Sequence, residues 1–153
     1  NLQIRPTEAK EIIEKFNEMY PGVKENMDNV VRDAYSNAYV RTLFNRKRNI
    51  EELTNKNYMI RQAGERIAMN TPIQGTSADI LKMAMVKIDE EMTKNKLKSK
   101  LLLQVHDELI FDCVDSEKEE LTKIVKDAME NTVKLDVALK ASLDFGPTWY
   151  DTK

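Results

Sequence analysis

Cysteine and histidine each occur once, as Cys113 and His106. A lone cysteine excludes an internal disulfide and a thiolate zinc site. A lone histidine excludes any site built on several imidazoles. No apolar run approaches the ~18 residues that a membrane helix needs, so no membrane partner is expected. No secretory pattern opens the chain. Charge of one sign is also lacking: 24 Lys and Arg face 26 Asp and Glu, a net −2. There is therefore no global basic excess, and any surface for nucleic acid must be local. Repeats and low-complexity linkers are absent. The first residue is Asn1 rather than Met, as expected of a fragment or a processed product. What is present is ordinary for a soluble domain. The 153 residues are 41% hydrophobic and 33% charged, enough chain for one real core.

Residues 7–19 carry apolar side chains at 9, 12, 13, 16 and 19, a helical spacing. Thr7 is the expected N-cap, and Pro21-Gly22 the stop. A second helix is predicted over 22–37, with Val23, Met27, Val30, Val31 and Ala34 on one side. Tyr39, Val40, Thr42, Leu43 and Phe44 favour strand, NRKR (45–48) its turn, and 53–57 a loop. Residues 58–70 are helical again, with Met59, Ile60, Ala63 and Ile67 inward, until Pro72 breaks or kinks the chain. A long helix follows from Gly75, with Thr76–Asp79 as a capping box and Ile80, Leu81, Ala84, Met85 and Ile88 inward. Residues 116–133 form a helix capped by Ser116, with Leu121, Ile124, Val125 and Met129 inward. Residues 138–145 alternate like a last strand. Helices, hairpin, helix and strand in that order predict an α+β fold, helices on an antiparallel sheet.

QVHDELIFD (104–112) stands out. Apolar runs flank it, Leu101, Leu102, Leu103 and Val105 before, Leu109, Ile110 and Phe111 after, and read as a buried strand pair. Asp107 and Glu108 sit side by side at its centre, next to His106. Adjacent carboxylates on a turn suit Mg²⁺, which takes one or two protein carboxylates and fills its shell with water and phosphate. A solvated turn is the ordinary alternative. The rigid apolar flanks favour the site, because the turn lacks the Asn-Gly or Asp-Gly of a purely structural hairpin. By composition alone His106 is more simply a structural histidine.

Gln62, Arg66, Asn70 and Gln74 recur every four residues and form a polar stripe on a helix. Amide and guanidinium groups read base edges and phosphates, although a solvated helix face has the same pattern. Arg41, Arg46, Lys47 and Arg48 make a small basic patch of the kind common on surfaces. Lys94, Lys96, Lys98 and Lys100 complement a helix C-terminus. The 8 methionines read as core filling.

Three segments, YVRTLFNRKR, ERIAMNTPIQGTSADILKMAM and LLLQVHDELIFD, together with the ending GPTWYDTK, resemble the family A DNA polymerases of the bacterial DNA polymerase I type. The resemblance runs through nearly the whole chain in matching order. It implies that residues 1–56 are the end of a fingers subdomain. Residues 57–153 are then part of a palm, with the HDE hairpin at 101–114. It implies that Asp107 is a metal-binding catalytic aspartate, Glu108 a supporting carboxylate and His106 a neighbour of the primer terminus. Arg66, Asn70 and Gln74 would then contact the primer–template, largely in the minor groove, with Arg61 a further DNA contact. Implied partners are primer–template DNA, deoxynucleoside triphosphates, Mg²⁺ and the remainder of a polymerase chain, in a bacterial cytoplasm near the nucleoid.

The family's second catalytic aspartate lies in a motif like Asp-Tyr-Ser-Gln-Ile-Glu, and its nucleotide-binding helix carries Arg, Lys and Tyr. Neither has a counterpart here, so the chain alone is expected to be inactive. Asn45 departs from the family's usual glycine or histidine, and Arg5 stands at the start of the first helix. A single-subunit RNA polymerase palm is the enzyme alternative, but there Ser typically follows the aspartate, where this chain has Glu108. A separate module that grips DNA or docks on a split polymerase is the non-enzymatic alternative.

Overall fold

In the computed structural model, residues 4–152 are described. The fold is α+β. Helices α1 (Pro6–Met19) and α2 (Pro21–Asn37) lead into strands β1 (Tyr39–Arg41) and β2 (Lys47–Asn49). Helix α3 (Tyr58–Lys94), strands β3 (Lys100–Val105) and β4 (Glu108–Asp112), and helix α4 (Lys118–Asn131) follow. The chain forms two compact units that divide at Gly75/Thr76, inside α3.

In the first unit, α1 starts on Pro6, which needs no N–H partner there. Its N-cap is Arg5 rather than Thr7, and Glu8 accepts a hydrogen bond from the Arg5 N–H at 3.0 Å. No residue of α1 is buried, and Ile12, Ile13, Phe16 and Met19 stay exposed despite their helical spacing. The helices break at Tyr20, where Pro21 begins α2. The core of this unit gathers Ala34, Val40, Ile50, Leu53 and Ala68, with Val30 and Ile67 packed against it. Strands β1 and β2 pair Tyr39↔Asn49, Val40↔Arg48 and Arg41↔Lys47. Lys47 and Arg48 are therefore strand residues, and the expected turn at 45–48 moves to 42–46. Asn45 takes a φ of 67° there, in the left-handed region where glycine is easiest and asparagine next. The expected loop at 53–57 begins with a short 3₁₀ turn, Glu51–Thr54.

Pro72 does not end the helix. Helix α3 runs through it, so Thr76–Asp79 lie mid-helix and not at a helix start. An internal proline costs about 3 kcal/mol, because the carbonyl four residues back loses its donor. Burial of Ala68 and Thr71 offsets that cost, and the Thr71 hydroxyl donates to the Ile67 carbonyl at 2.7 Å. The inward face starts later than its apolar residues indicate. Met59 and Ile60 are exposed, whereas Gly64, Ala68 and Thr71 are buried.

The second unit centres on Ala84, Ile88 and Met92 of α3 and Leu121, Val125 and Ala128 of α4. Ile124 and Met129 pack at its margin. Lys87 donates to Asp127 at 2.6 Å, and this contact holds the Asp127 carboxyl below its ordinary range. Helix α3 ends in a Schellman pattern: Leu97 N–H bonds Met92 O, Lys96 N–H bonds Thr93 O, and Lys96 has φ 54°. Residues 138–145 form no strand. Their burial alternates, with Leu139, Ala141 and Leu143 half-buried, but no strand pairs with them among the described residues. The Ala141 N–H goes instead to the Glu130 carboxylate at 3.0 Å, and Leu143 packs on the helical core. Alternation reports an extended chain over a core. A strand additionally needs a ladder partner.

Glu117, not Ser116, is the N-cap of α4. Its carboxylate turns back to accept bonds from Lys98 N–H, Ser99 N–H and the Ser99 hydroxyl, the last at 2.7 Å. Ser99 Oγ in turn accepts from Val114 N–H at 3.0 Å. The two chain ends entering and leaving the β3–β4 hairpin are thereby tied through one buried serine. These bonds, the backbone bond from Lys98 first, lower the Glu117 pKa from its ordinary 4.5. A depressed folded-state pKa adds stability that is present above the unfolded value and lost as pH falls through the folded one. Thermal unfolding of Glu117→Gln should therefore show a lower Tm than the parent near neutral pH. The gap should close on acidification through and below the carboxylate range. A gap that does not depend on pH would show that the charge of Glu117 does not hold the hairpin base.

Candidate functional site

The hairpin pairs Lys100↔Asp112, Leu101↔Phe111, Leu103↔Ile110, Gln104↔Leu109 and Val105↔Glu108, with a bulge at Leu102. Side chains alternate across a strand pair, so paired residues share a face. Leu109 and Phe111 lie on one face and pack against the helical core. Leu103, Val105, Glu108 and Ile110 belong to the other. That face is open among the described residues: Leu103 is 53% and Leu102 56% exposed. The expectation of a fully buried strand pair is thus corrected. One face is buried, and the acids do not suffer the desolvation that full burial would impose.

His106 and Asp107 are the only residues between the strands, so the turn has two members. His106 has φ 54°, a conformation that costs a side-chain-bearing residue roughly 1–2 kcal/mol. The turn tolerates it because the Gln104 side-chain amide donates to the His106 carbonyl at 2.8 Å and because the base is closed by Ser99 and Glu117. His106, Asp107 and Glu108 are all exposed and lie consecutively at the tip of the hairpin.

No group of three or more His, Cys, Asp and Glu that could hold a metal occurs among the described residues. The tip offers two adjacent hard-oxygen donors. That set fits Mg²⁺, which needs few protein carboxylates and keeps several waters, and falls short of the three or four converging protein ligands of a zinc site.

The polar stripe lies on α3 in the first unit. Arg66, Asn70 and Gln74 are exposed, on the side away from buried Gly64, Ala68 and Thr71. Gln62, fourth in the spacing, is half-buried and donates to the Tyr58 hydroxyl at 2.7 Å. Arg61 donates through Nη1 to the carbonyls of Asn55 at 2.9 Å and Lys56 at 2.8 Å, securing the loop before α3. The stripe and the carboxylate tip thus belong to different units.

The basic patch is engaged inside its own unit. Arg41 bonds the Asn45 carbonyl and side chain, and Arg41 and Lys47 lie over the Tyr39 ring. Arg46 donates to the Gly75 carbonyl at 3.0 Å, and Arg48 to the Thr71 hydroxyl at 3.3 Å. Sequence patterning missed the roles of Arg46 and Arg48, as it missed Glu117, because their partners lie 18 or more residues away in the chain.

No helix of the described residues is long and apolar enough to cross a membrane. Among proteins of known identity, the chain is 46% identical over its whole length to DNA polymerase I of Geobacillus stearothermophilus, of which it covers 18%. It is 48% identical to DNA polymerase I of Bacillus subtilis and covers 17% of it. The chain therefore spans about a sixth of the length of these relatives. Its fold superposes on the POL domain of Pol1 from M. smegmatis, solved in complex with DNA primer-template and dNTP. The TM-score is 0.93 at 39% identity, over 99% of this chain and 27% of that one. The family model for DNA polymerase family A matches residues 1–151, and on that breadth of agreement the chain belongs to DNA polymerase family A.

Proposed function

We propose that this chain supplies the HDE part of a palm and a duplex-reading helix to a DNA-dependent DNA polymerase. The complete enzyme extends a primer 3′ end with deoxynucleoside triphosphates. The observation that carries this reading is the pair of exposed carboxylates at the tip of a hairpin closed at its base, in a chain of this family. Residues 1–56 are assigned to the end of the fingers and 57–153 to part of the palm. The open face of the hairpin is covered by the remainder of the polymerase chain, which also brings the second catalytic aspartate and the nucleotide-binding helix.

Asp107 and Glu108 hold Mg²⁺, with Asp107 the principal ligand. The bound ion supplies charge neutralisation for the triphosphate and activation of the primer hydroxyl. His106 orients the primer end beside them. Arg66, Asn70 and Gln74 donate to purine N3 and pyrimidine O2 in the minor groove, acceptors common to all correct pairs, so pair geometry is checked without reading sequence. Arg61 joins them through donors not spent on its loop.

On pre-bound primer–template, Asp107→Asn should lower the single-turnover incorporation rate by orders of magnitude across Mg²⁺ concentrations. DNA affinity should stay within a few-fold, since it comes mainly from phosphate contacts. Glu108→Gln should cost less, and His106→Ala less still. Near-parental incorporation by Asp107→Asn would reduce HDE to a hairpin turn. Purified chain without the rest of the enzyme should give no template-dependent extension.

Gln74→Ala should weaken extension from a paired end by about five-fold, the equivalent of one hydrogen bond of ~1 kcal/mol, and alter discrimination against mismatched ends. Arg66→Ala should also reduce the salt dependence of binding if it neutralises a phosphate. Parental mismatch extension and affinity in both variants would favour a merely solvated helix face.

A further inference from the structure

Helix α3 is intrinsically weakest where Gln74 stands. Pro72 removes a backbone donor two residues before it, and Gly75 follows it directly. A proline and a glycine inside one helical turn both disfavour helix relative to alanine. The β1–β2 hairpin meets this stretch on both sides of the proline, through Arg48 of β2 before it and Arg46 of the turn after it. Arg48 Nη1 donates to Thr71, a buried residue whose hydroxyl continues to the Ile67 carbonyl. Arg46 Nη2 donates to the Gly75 carbonyl at 3.0 Å. Thr42, also buried, accepts from the Arg46 backbone N–H at 3.2 Å and thereby shapes the turn. The fit is close: a Cβ at Gly75 would lie 2.6 Å from Thr42 Cγ2 and 3.2 Å from Arg46 Nη2. Glycine is needed at 75 for this approach.

We propose that Arg46 and Arg48 are positioning residues: they brace α3 across Pro72 and so fix where Asn70 and Gln74 present their amides. This inference rests on the proposed role of the stripe as a reader of the primer–template. Its consequence is that sensitivity to a mispaired primer end depends on a turn that acts through the helix rather than on the duplex. The arginines are suited to the task. A guanidinium donates a charge-assisted bond to a carbonyl in fixed geometry, stronger than a neutral donor would give.

The test is made in the complete polymerase, comparing matched and mismatched primer extension for Arg46→Met, Arg46→Lys, Gly75→Ala and Gln74→Ala, alone and in pairs. Arg46→Met should shift the discrimination ratio in the same direction as Gln74→Ala. In the Gln74→Ala background it should add little, as expected for residues acting through one another. Arg46→Lys, which keeps one donor, should restore most of the parental ratio. Gly75→Ala keeps the Arg46 side chain and raises the helix propensity at 75. It should nonetheless reproduce the Arg46→Met shift by pushing the turn off the helix. Backbone hydrogen exchange at 73–78 should speed up in Arg46→Met.

Full additivity of Arg46→Met with Gln74→Ala, with a loss of about one unit in the salt slope of DNA binding, would overturn the inference and make Arg46 a phosphate contact. An effect of Gln74→Ala with none from Arg46→Met or Gly75→Ala would also overturn it, while leaving the stripe intact. If Gln74→Ala itself leaves discrimination unchanged, the stripe reading fails and this inference falls with it.

Discussion

The carboxylate of Glu117 closes the base of the β3–β4 hairpin, and the proposed chemistry depends on that closure. Two antiparallel strands alone are marginal in water. Here the hairpin has one packed face, through Leu109 and Phe111, and one tied base, through Ser99 and Glu117. With both in place the two-residue tip has little freedom, and His106 is held at a positive φ that a loose turn would relax. A metal-binding tip benefits from such restraint, because carboxylates fixed before the ion arrives do not have to be ordered by it.

The first unit repeats the principle with other chemistry. A short strand pair is again too small to stand alone, and it is held by side chains reaching α3. Arg46 and Arg48 serve the strand pair as Glu117 and Ser99 serve the hairpin. In both units a charged side chain is spent on backbone or hydroxyl partners far away in sequence. Among the described residues the chain also has ion pairs, of which Lys87–Asp127 joins α3 to α4. The contacts of its i,i+4 pairs, Lys10–Glu14 and Lys24–Asp28, are exposed and contribute little.

Much of this was legible in the residues. Periodicity located α1, α2, α4 and the hairpin, and adjacent acids between apolar runs marked the tip. Four-residue spacing marked Arg66, Asn70 and Gln74. What escaped was decided by partners distant in sequence. Pro72 is a breaker by local chemistry, yet packing at Ala68 and Thr71 carries α3 through it. The alternation of residues 138–145 is visible in burial but forms no ladder. Leu102 and Leu103 read as core from composition and are exposed because nothing described here lies over that face. Arg46 and Arg48 looked like surface charge and Glu117 carried no signal, since nothing in a one-dimensional pattern names a carbonyl or hydroxyl so far away.

The account turns on whether the hairpin tip holds the reaction's metal ion. Ferrous iron substituted for Mg²⁺ in the complete polymerase, with primer–template and dNTP bound, generates hydroxyl radicals that cut the backbone beside the ion. Mapping the cuts by mass spectrometry should place them at His106–Glu108, and Asp107→Asn should abolish them while DNA remains bound. Cuts confined to other segments, or a pattern at the tip that Asp107→Asn leaves unchanged, would contradict the assignment.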